Sequence, residues 1–210
     1  MSPRAMWICG VDPMPRHFGL EPKRRAGLSP AFDLAPWSYF LDFALVPIGA
    51  IVLLWLASHG AVATWAQAVS IAGGVLVWTL VEYWIHRLVF HGPTSFEPMH
   101  QMHHALPKDM IGVASWGTFL GFAAIWLIAE TFAGGAIGSA FTAGVMLGYL
   151  FYCAIHVRFH HHRPGARLSR YVAFMNAHHV AHHRGARGNF GVSSPIWDFV
   201  FGTYLSRRSS

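Results

Sequence analysis

FALVPIGAIVLLWLASHGAVATWAQAVSIAGGVLVWTLV, residues 43–81, runs for thirty-nine residues without Asp, Glu, Lys or Arg. About twenty helical residues, rising about 1.5 Å each, cross a hydrocarbon core of ~30 Å. The run is therefore long enough for two crossings, with a break at Ala57-Ser58-His59-Gly60, and predicts spans near 38–58 and 63–85. Met110–Ala129 is a third uncharged stretch and Thr131–Val157 a fourth, with Glu130, Gly134, Gly135 and Gly138 marking the turn between them. Four spans in two hairpins follow.

The basic residues test that count. Arg4, Arg16, Lys23, Arg24 and Arg25 precede the first span, Arg87 and Lys108 lie between the second and third, and the remaining eight follow the fourth. With four spans every cation falls on one face, which the positive-inside rule makes cytoplasmic; three or five spans would scatter them. Composition agrees. Over 210 residues, 54% are apolar and only 11% charged, with mean hydropathy +0.38. Soluble domains carry roughly 25% charge. Disordered, coiled-coil and disulfide-rich secreted classes are excluded, and the net charge of +6 reflects the distribution of cations about a membrane rather than nucleic-acid binding. Residues 1–36 form a polar, basic segment with no apolar core of the kind a signal peptide needs, 37–205 the membrane domain, and 206–210 a tail. Between Leu168 and Leu205, aromatic residues alternate with Arg, which suits short helices in the headgroup zone.

Thirteen of fifteen histidines fall in two blocks, 86–104 and 156–183, both on the cytoplasmic side. His17 and His59, outside them, read as polar loop surface. The blocks contain four groups: His86-x4-His91; His100-x-x-His103-His104; His156-x3-His160 followed by His161 and His162; and His178-His179-x-x-His182-His183. Positions i, i+3 and i+4 share a helix face, so His100, His103 and His104 are expected to point one way, as are His179, His182 and His183. His86 and His91 lie about 140° apart on an ideal helix and converge only if it ends or bends near Gly92-Pro93. One metal takes four to six ligands, so ten or more convergent imidazoles imply two ions, and imidazole suits Zn, Cu, Fe and Ni. Each ligand needs an outer acceptor to fix its tautomer; Glu82, Asp109 and Asp198 are the candidates. A metal transporter would place ligands at mid-membrane with carboxylates, whereas here the spans hold little beyond Asp42 and Glu82.

Glu82-Tyr-Trp-Ile-His86-Arg-Leu-Val-Phe-His91, Met99-His100-Gln-Met-His103-His104, His178-His179-Val-Ala-His182-His183 and the ending Asn189-Phe-Gly-Val-Ser-Ser-Pro-Ile-Trp-Asp-Phe-Val-Phe-Gly-Thr203 together resemble the fatty acid hydroxylase and sterol desaturase superfamily, histidine-rich integral-membrane oxygenases. The resemblance covers roughly Trp37 to Tyr204. It implies an all-α integral membrane fold of four transmembrane helices with a cytoplasmic helical cap holding a di-metal site. Its implied ligands are His86, His91, His100, His103, His104, His156, His160, His179, His182 and His183. His161, His162 and His178 are then outer or substitute ligands, with the register among His160, His161 and His162 open.

The implied cofactor is a pair of iron ions, since zinc, which can occupy such sites in purified protein, cannot change oxidation state. The implied activity is O2-dependent hydroxylation or desaturation of a lipid entering from the bilayer, such as a fatty acyl chain; a carotenoid ring and a sterol-like lipid are alternatives. A non-catalytic lipid-binding protein with a structural di-zinc site is the reading from another class. Trp78, Trp84, Trp116, Phe119, Phe151 and Tyr152 are candidates to line the substrate path. Family members acting on sphingolipid acyl chains often carry a fused cytochrome b5 domain; here the donor is expected to be a separate ferredoxin or cytochrome b5-like protein with its reductase. Arg163, Arg167, Arg170, Arg184 and Arg187 would meet anionic headgroups or such a donor.

Overall fold

The computed structural model describes residues 29–161, 168–185 and 187–206, and among them it is helical with one isolated bridge, Asp33 to Ile111. The helices are α1 (Pro36–Tyr39), α2 (Asp42–Ser58), α3 (Thr64–Trp84), α4 (Glu97–Ala105), α5 (Ser115–Ala133), α6 (Gly135–His161), α7 (Arg170–Gly185) and α8 (Ile196–Val200). Four stretches are long and apolar enough to cross a membrane: 36–58, 64–90, 115–133 and 135–161. The hairpins are those expected from the charge gaps, but the third span starts five residues later than its uncharged run and the fourth extends to His161. The third starts later because residues 110–112 pair with 32–34 and Ala114 is extended, and the fourth runs on because a helix continues past the hydrocarbon until something stops it. Gly134, at φ 80°, ends α5.

The central helix is α6, which packs against α2, α3 and α5. Its membrane half is Gly-Ala-Ser-Thr rich, and Gly138, Ser139, Ala140, Thr142, Ala143, Gly144 and Gly148 are all buried. Between spans in lipid, small residues permit the backbone approach that supplies the attraction. A Cβ on Gly144 would lie 2.1 Å from the Ile71 carbonyl oxygen, and one on Gly74 would lie 2.1 Å from that of Phe141. The α3–α6 crossing thus has no room for a side chain at either position. Gly144→Leu should destabilise the fold by roughly 3 kcal/mol through overpacking, read as a lowered unfolding midpoint in detergent. Gly121→Ala, which meets nothing within 4 Å, is the control expected to leave it unchanged. The outer faces are apolar and open, as at Trp65, Leu120 and Phe132, as befits helices that face lipid.

Two local features position the site. After α3 the helix widens into a π-helical turn, Ile85–Phe90, and the His91 N–H donates to the His86 carbonyl at 3.2 Å. This i→i+5 bond brings the two imidazoles onto one face, so convergence comes from a wider turn rather than from a bend at Gly92-Pro93. Residues 32–34 also pair with 110–112 through Leu34 N–H to Met110 O (2.9 Å) and Gly112 N–H to Phe32 O (3.1 Å). That pairing ties the segment before α1 to the turn after α4. The short helices expected between Leu168 and Leu205 are α7 and α8, with Tyr171, Phe174, Phe199 and Val200 exposed along them. Arg170, Arg184 and Arg187 are also exposed, while Arg163 and Arg167 lie outside the described residues.

Candidate metal centre

Ten histidines gather into two groups of five above the span ends. His86, His91, His100, His104 and His182 form one, and His103, His156, His160, His179 and His183 the other; in each, the candidate ligand nitrogens lie within 4.8 Å of one another. The π turn after α3 supplies two members to the first group and α6 supplies two to the second. Helices α4 and α7 each serve both, in opposite senses. On α4 the i, i+4 pair His100 and His104 enters the first group and His103 the second; on α7 the pair His179 and His183 enters the second and His182 the first. The triplets therefore do not each point to one place, as the shared helix face led one to expect. Positions i+3 and i+4 lie about 100° apart, on either side of i, which is enough to divide each triplet between adjoining sites. His104 and His183 stack across the boundary with centroids 4.2 Å apart.

The tautomers are set by backbone oxygens. His86 Nδ1–H donates to the Phe190 carbonyl, and His182 Nδ1–H donates to the Gly188 carbonyl at 2.8 Å. Both rings then present Nε2 inward as lone pairs. There, His86 Nε2 stands 3.0 Å from His100 Nε2, and His182 Nε2 stands 3.1 Å from the Nε2 atoms of His91 and His104. In the second group, His160 Nε2 lies 3.0 Å from His156 Nε2 and 3.1 Å from His179 Nε2. His103 Nε2 and both ring nitrogens of His183 are buried with no hydrogen-bond partner. Buried polar atoms are seldom left so. Five imidazoles converging around unpartnered nitrogens fit a cation with nitrogen ligands. Burial pushes His100, His103, His179, His182 and His183 well below the usual histidine range, and neighbouring imidazoles push further. His104 is lowered to about 4 by the same causes, and His91 is lowered by burial. Neutral imidazole, the form a metal needs, is thus the resting state at neutral pH.

The carboxylates act differently from expectation. Glu82 does not reach a histidine: its buried carboxylate accepts from the Val192 and Ser193 N–H groups and from the Ser193 hydroxyl. Asp198 accepts from Phe190 N–H and Gly191 N–H (2.8 Å each), Thr203 Oγ1–H (2.7 Å) and His178 Nε2–H (3.0 Å). His178 is thereby turned away from both groups. Asp109 lies in the turn after α4, where its N–H donates to Leu106 O. His161 is exposed at the end of α6, and His162 lies outside the described residues. The two carboxylates clamp residues 190–193, and Asn189 at φ 57° turns the chain so that the 188 and 190 carbonyls face the rings. Asn tolerates this left-handed conformation, and its side chain joins His178 O and Leu205 N–H.

Below the histidines is a cavity of about 460 Å³, within the range of small-molecule sites. Its walls include Phe43, Val81, Ile85, Val89, Phe122 and Ile125, and its inner surface reaches His86 and His100 of one group and His103 and His156 of the other. Trp78 and Tyr152 line it; Tyr152 stacks on His156 with centroids 5.4 Å apart. Trp84, Trp116, Phe119 and Phe151 are not among its walls. Trp84 packs on Phe201, Phe119 packs into the bundle core, and Trp116 and Phe151 are exposed on outer faces.

A family model described as fatty acid hydroxylase matches residues 71–203, which include all ten histidines. Dihydroceramide fatty acyl 2-hydroxylase FAH2 of Arabidopsis thaliana is 31% identical over 169 residues, covering 75% of this chain and 69% of that protein. Ceramide very long chain fatty acid hydroxylase scs7 of Schizosaccharomyces pombe is 36% identical over 143 residues, 62% of this chain, and the chain spans 40% of its length. Among solved structures, full-length scs7p, of which only the hydroxylase domain is visible, superposes with a TM-score of 0.66 at 27% identity, covering 86% of this chain and 70% of that one.

Proposed function

The chain belongs to the fatty acid hydroxylase family, and we propose that it is a membrane-bound, O2-dependent hydroxylase of a lipid acyl chain. One observation carries the reading: an apolar cavity walled by the membrane helices ends on imidazoles from both histidine groups. An acyl chain lying in it would present a C–H bond between them.

Residues His86, His91, His100, His104 and His182 would hold one ion and His103, His156, His160, His179 and His183 the other. Bound there, two iron ions would supply the redox chemistry that O2 needs to attack an unactivated C–H bond. The protein's own contributions are positional. Phe190 O and Gly188 O lock the His86 and His182 tautomers, Tyr152 braces His156, and the apolar walls exclude water and align the chain. Inserting one oxygen atom and reducing the other to water takes two electrons and two protons, and a donor of the ferredoxin or cytochrome b5 type would deliver the electrons. The distribution of Lys and Arg along the sequence supports a cytoplasmic site and cytoplasmic termini. By analogy with the relatives' names, carbon 2 of the acyl chain is the position attacked.

The test is turnover of an acyl lipid by iron-loaded protein under ¹⁸O₂ with a chemical or protein reductant. The expected product is a 2-hydroxyacyl lipid carrying one ¹⁸O. An unchanged lipid, or label arriving from water, would overturn the proposal.

A further inference from the structure

Asp42 is an acidic residue within the first membrane span, only 6% exposed, and it lies outside the segment matched to the family. Ionisable groups at such positions are costly and are retained for function. Tyr149, on α6, donates its hydroxyl to Asp42 Oδ2, while Asp42 Oδ1 is buried with no partner. Asp42, Tyr149, Tyr39 and Cys153 all belong to the wall of the cavity that ends at the histidines. The rest of that wall is largely apolar, so these groups form a polar spot within it. The spot is set back from the metal centre: Tyr149 precedes His156 by seven residues, about 10 Å along the helix. Tyr152 lies between, with centroids 6.1 Å from Tyr149 and 5.4 Å from His156.

We propose that Asp42 and Tyr149 form a subsite for a hydroxyl group on the acyl chain, several methylenes from the carbon that is oxidised. The assignment rests on the acyl-chain reading above and narrows it to hydroxylated lipids. A hydroxyl suits the free oxygen because it donates to a carboxylate and accepts from a carboxylic acid. It also passes the apolar cavity at far lower desolvation cost than a charged group. A plain alkyl chain would leave Oδ1 buried and unpartnered, and that loss is what makes such sites selective.

The experiment measures binding of two probes, stearate and mid-chain hydroxystearate, to the full-length protein in detergent, with turnover of both by the iron-loaded enzyme. Binding should favour hydroxystearate by at least about tenfold. Asp42→Leu should bring the ratio near one, and Asp42→Asn, which keeps an acceptor for Tyr149, should retain part of it. Equal affinity of the wild-type protein for the two probes, or no binding of either, overturns the subsite and needs no variant to be folded. Preferential binding without hydroxylation of either probe leaves the subsite standing and counts against the proposed activity; hydroxylation of both at equal efficiency does the reverse.

Discussion

His182→Ala should leave a protein with one bound metal ion in place of two and reduce lipid hydroxylation by well over a hundredfold. Loss of an outer partner alone costs 10–100-fold in metal affinity or activity, and His182 is proposed as a ligand itself, with its Nε2 3.1 Å from those of His91 and His104. His103→Ala should do the same to the second group, where His103 Nε2 is buried without a partner. Each variant keeps the other ion, because all five histidines of the other group are untouched. Both lose the product, because the cavity abuts histidines from each group. His161→Ala, at an exposed position in neither group, should retain both metal and turnover. Metal analysis and product assay on the three variants decide the matter: two ions in His182→Ala would remove His182 from the site.

The second large effect is at Asp198, which is fully buried and accepts four hydrogen bonds. Asp198→Ala leaves the Phe190 and Gly191 N–H groups, the Thr203 hydroxyl and the His178 ring without their acceptor. Breaking a buried charged network of this kind costs about 3–5 kcal/mol. The damage also reaches the metal centre. Asp198 holds the N–H of Phe190, whose carbonyl orients His86, so metal retention should fall along with the unfolding midpoint. A variant that unfolds earlier but keeps its metals would show that the Phe190 carbonyl does not depend on this clamp.

Much of this was legible in the chain because charge in a bilayer is scarce. A run of thirty-nine residues without a charged side chain admits few structures, and the hairpins follow from it. The histidine groups were legible for the same kind of reason, since helical spacing places i, i+3 and i+4 together whatever surrounds them. Three things were not. The π turn at Ile85–Phe90 departs from the 3.6-residue period on which the reading relied, so the means by which His86 and His91 meet was hidden. The division of each His-x-x-His-His triplet between two sites depends on where neighbouring helices stand, which spacing alone does not contain. The acceptors that set the tautomers are main-chain carbonyls at 188 and 190, and a carbonyl has no residue type to read.

Glu82 and Asp198 were visible as acidic residues beside the histidine motifs, but their partners are mostly backbone N–H groups. Their role is to hold the segment that carries those carbonyls. The aromatic wall of the cavity was only partly readable. Trp and Phe near span ends serve lipid-facing belts as readily as interior walls, and Trp116 and Phe151 belong outside while Trp78 and Tyr152 belong inside. Asp42 stood out as a carboxylate within a span, yet its partner Tyr149 lies 107 residues away in sequence.

The most direct measurement is the metal content of wild-type protein purified anaerobically from iron-supplemented cells, with Mössbauer spectra of the same sample. Two irons per chain, magnetically coupled after exposure to O2, is the predicted result. Protein that is folded, with its ten histidines intact and no stoichiometric metal, would contradict it.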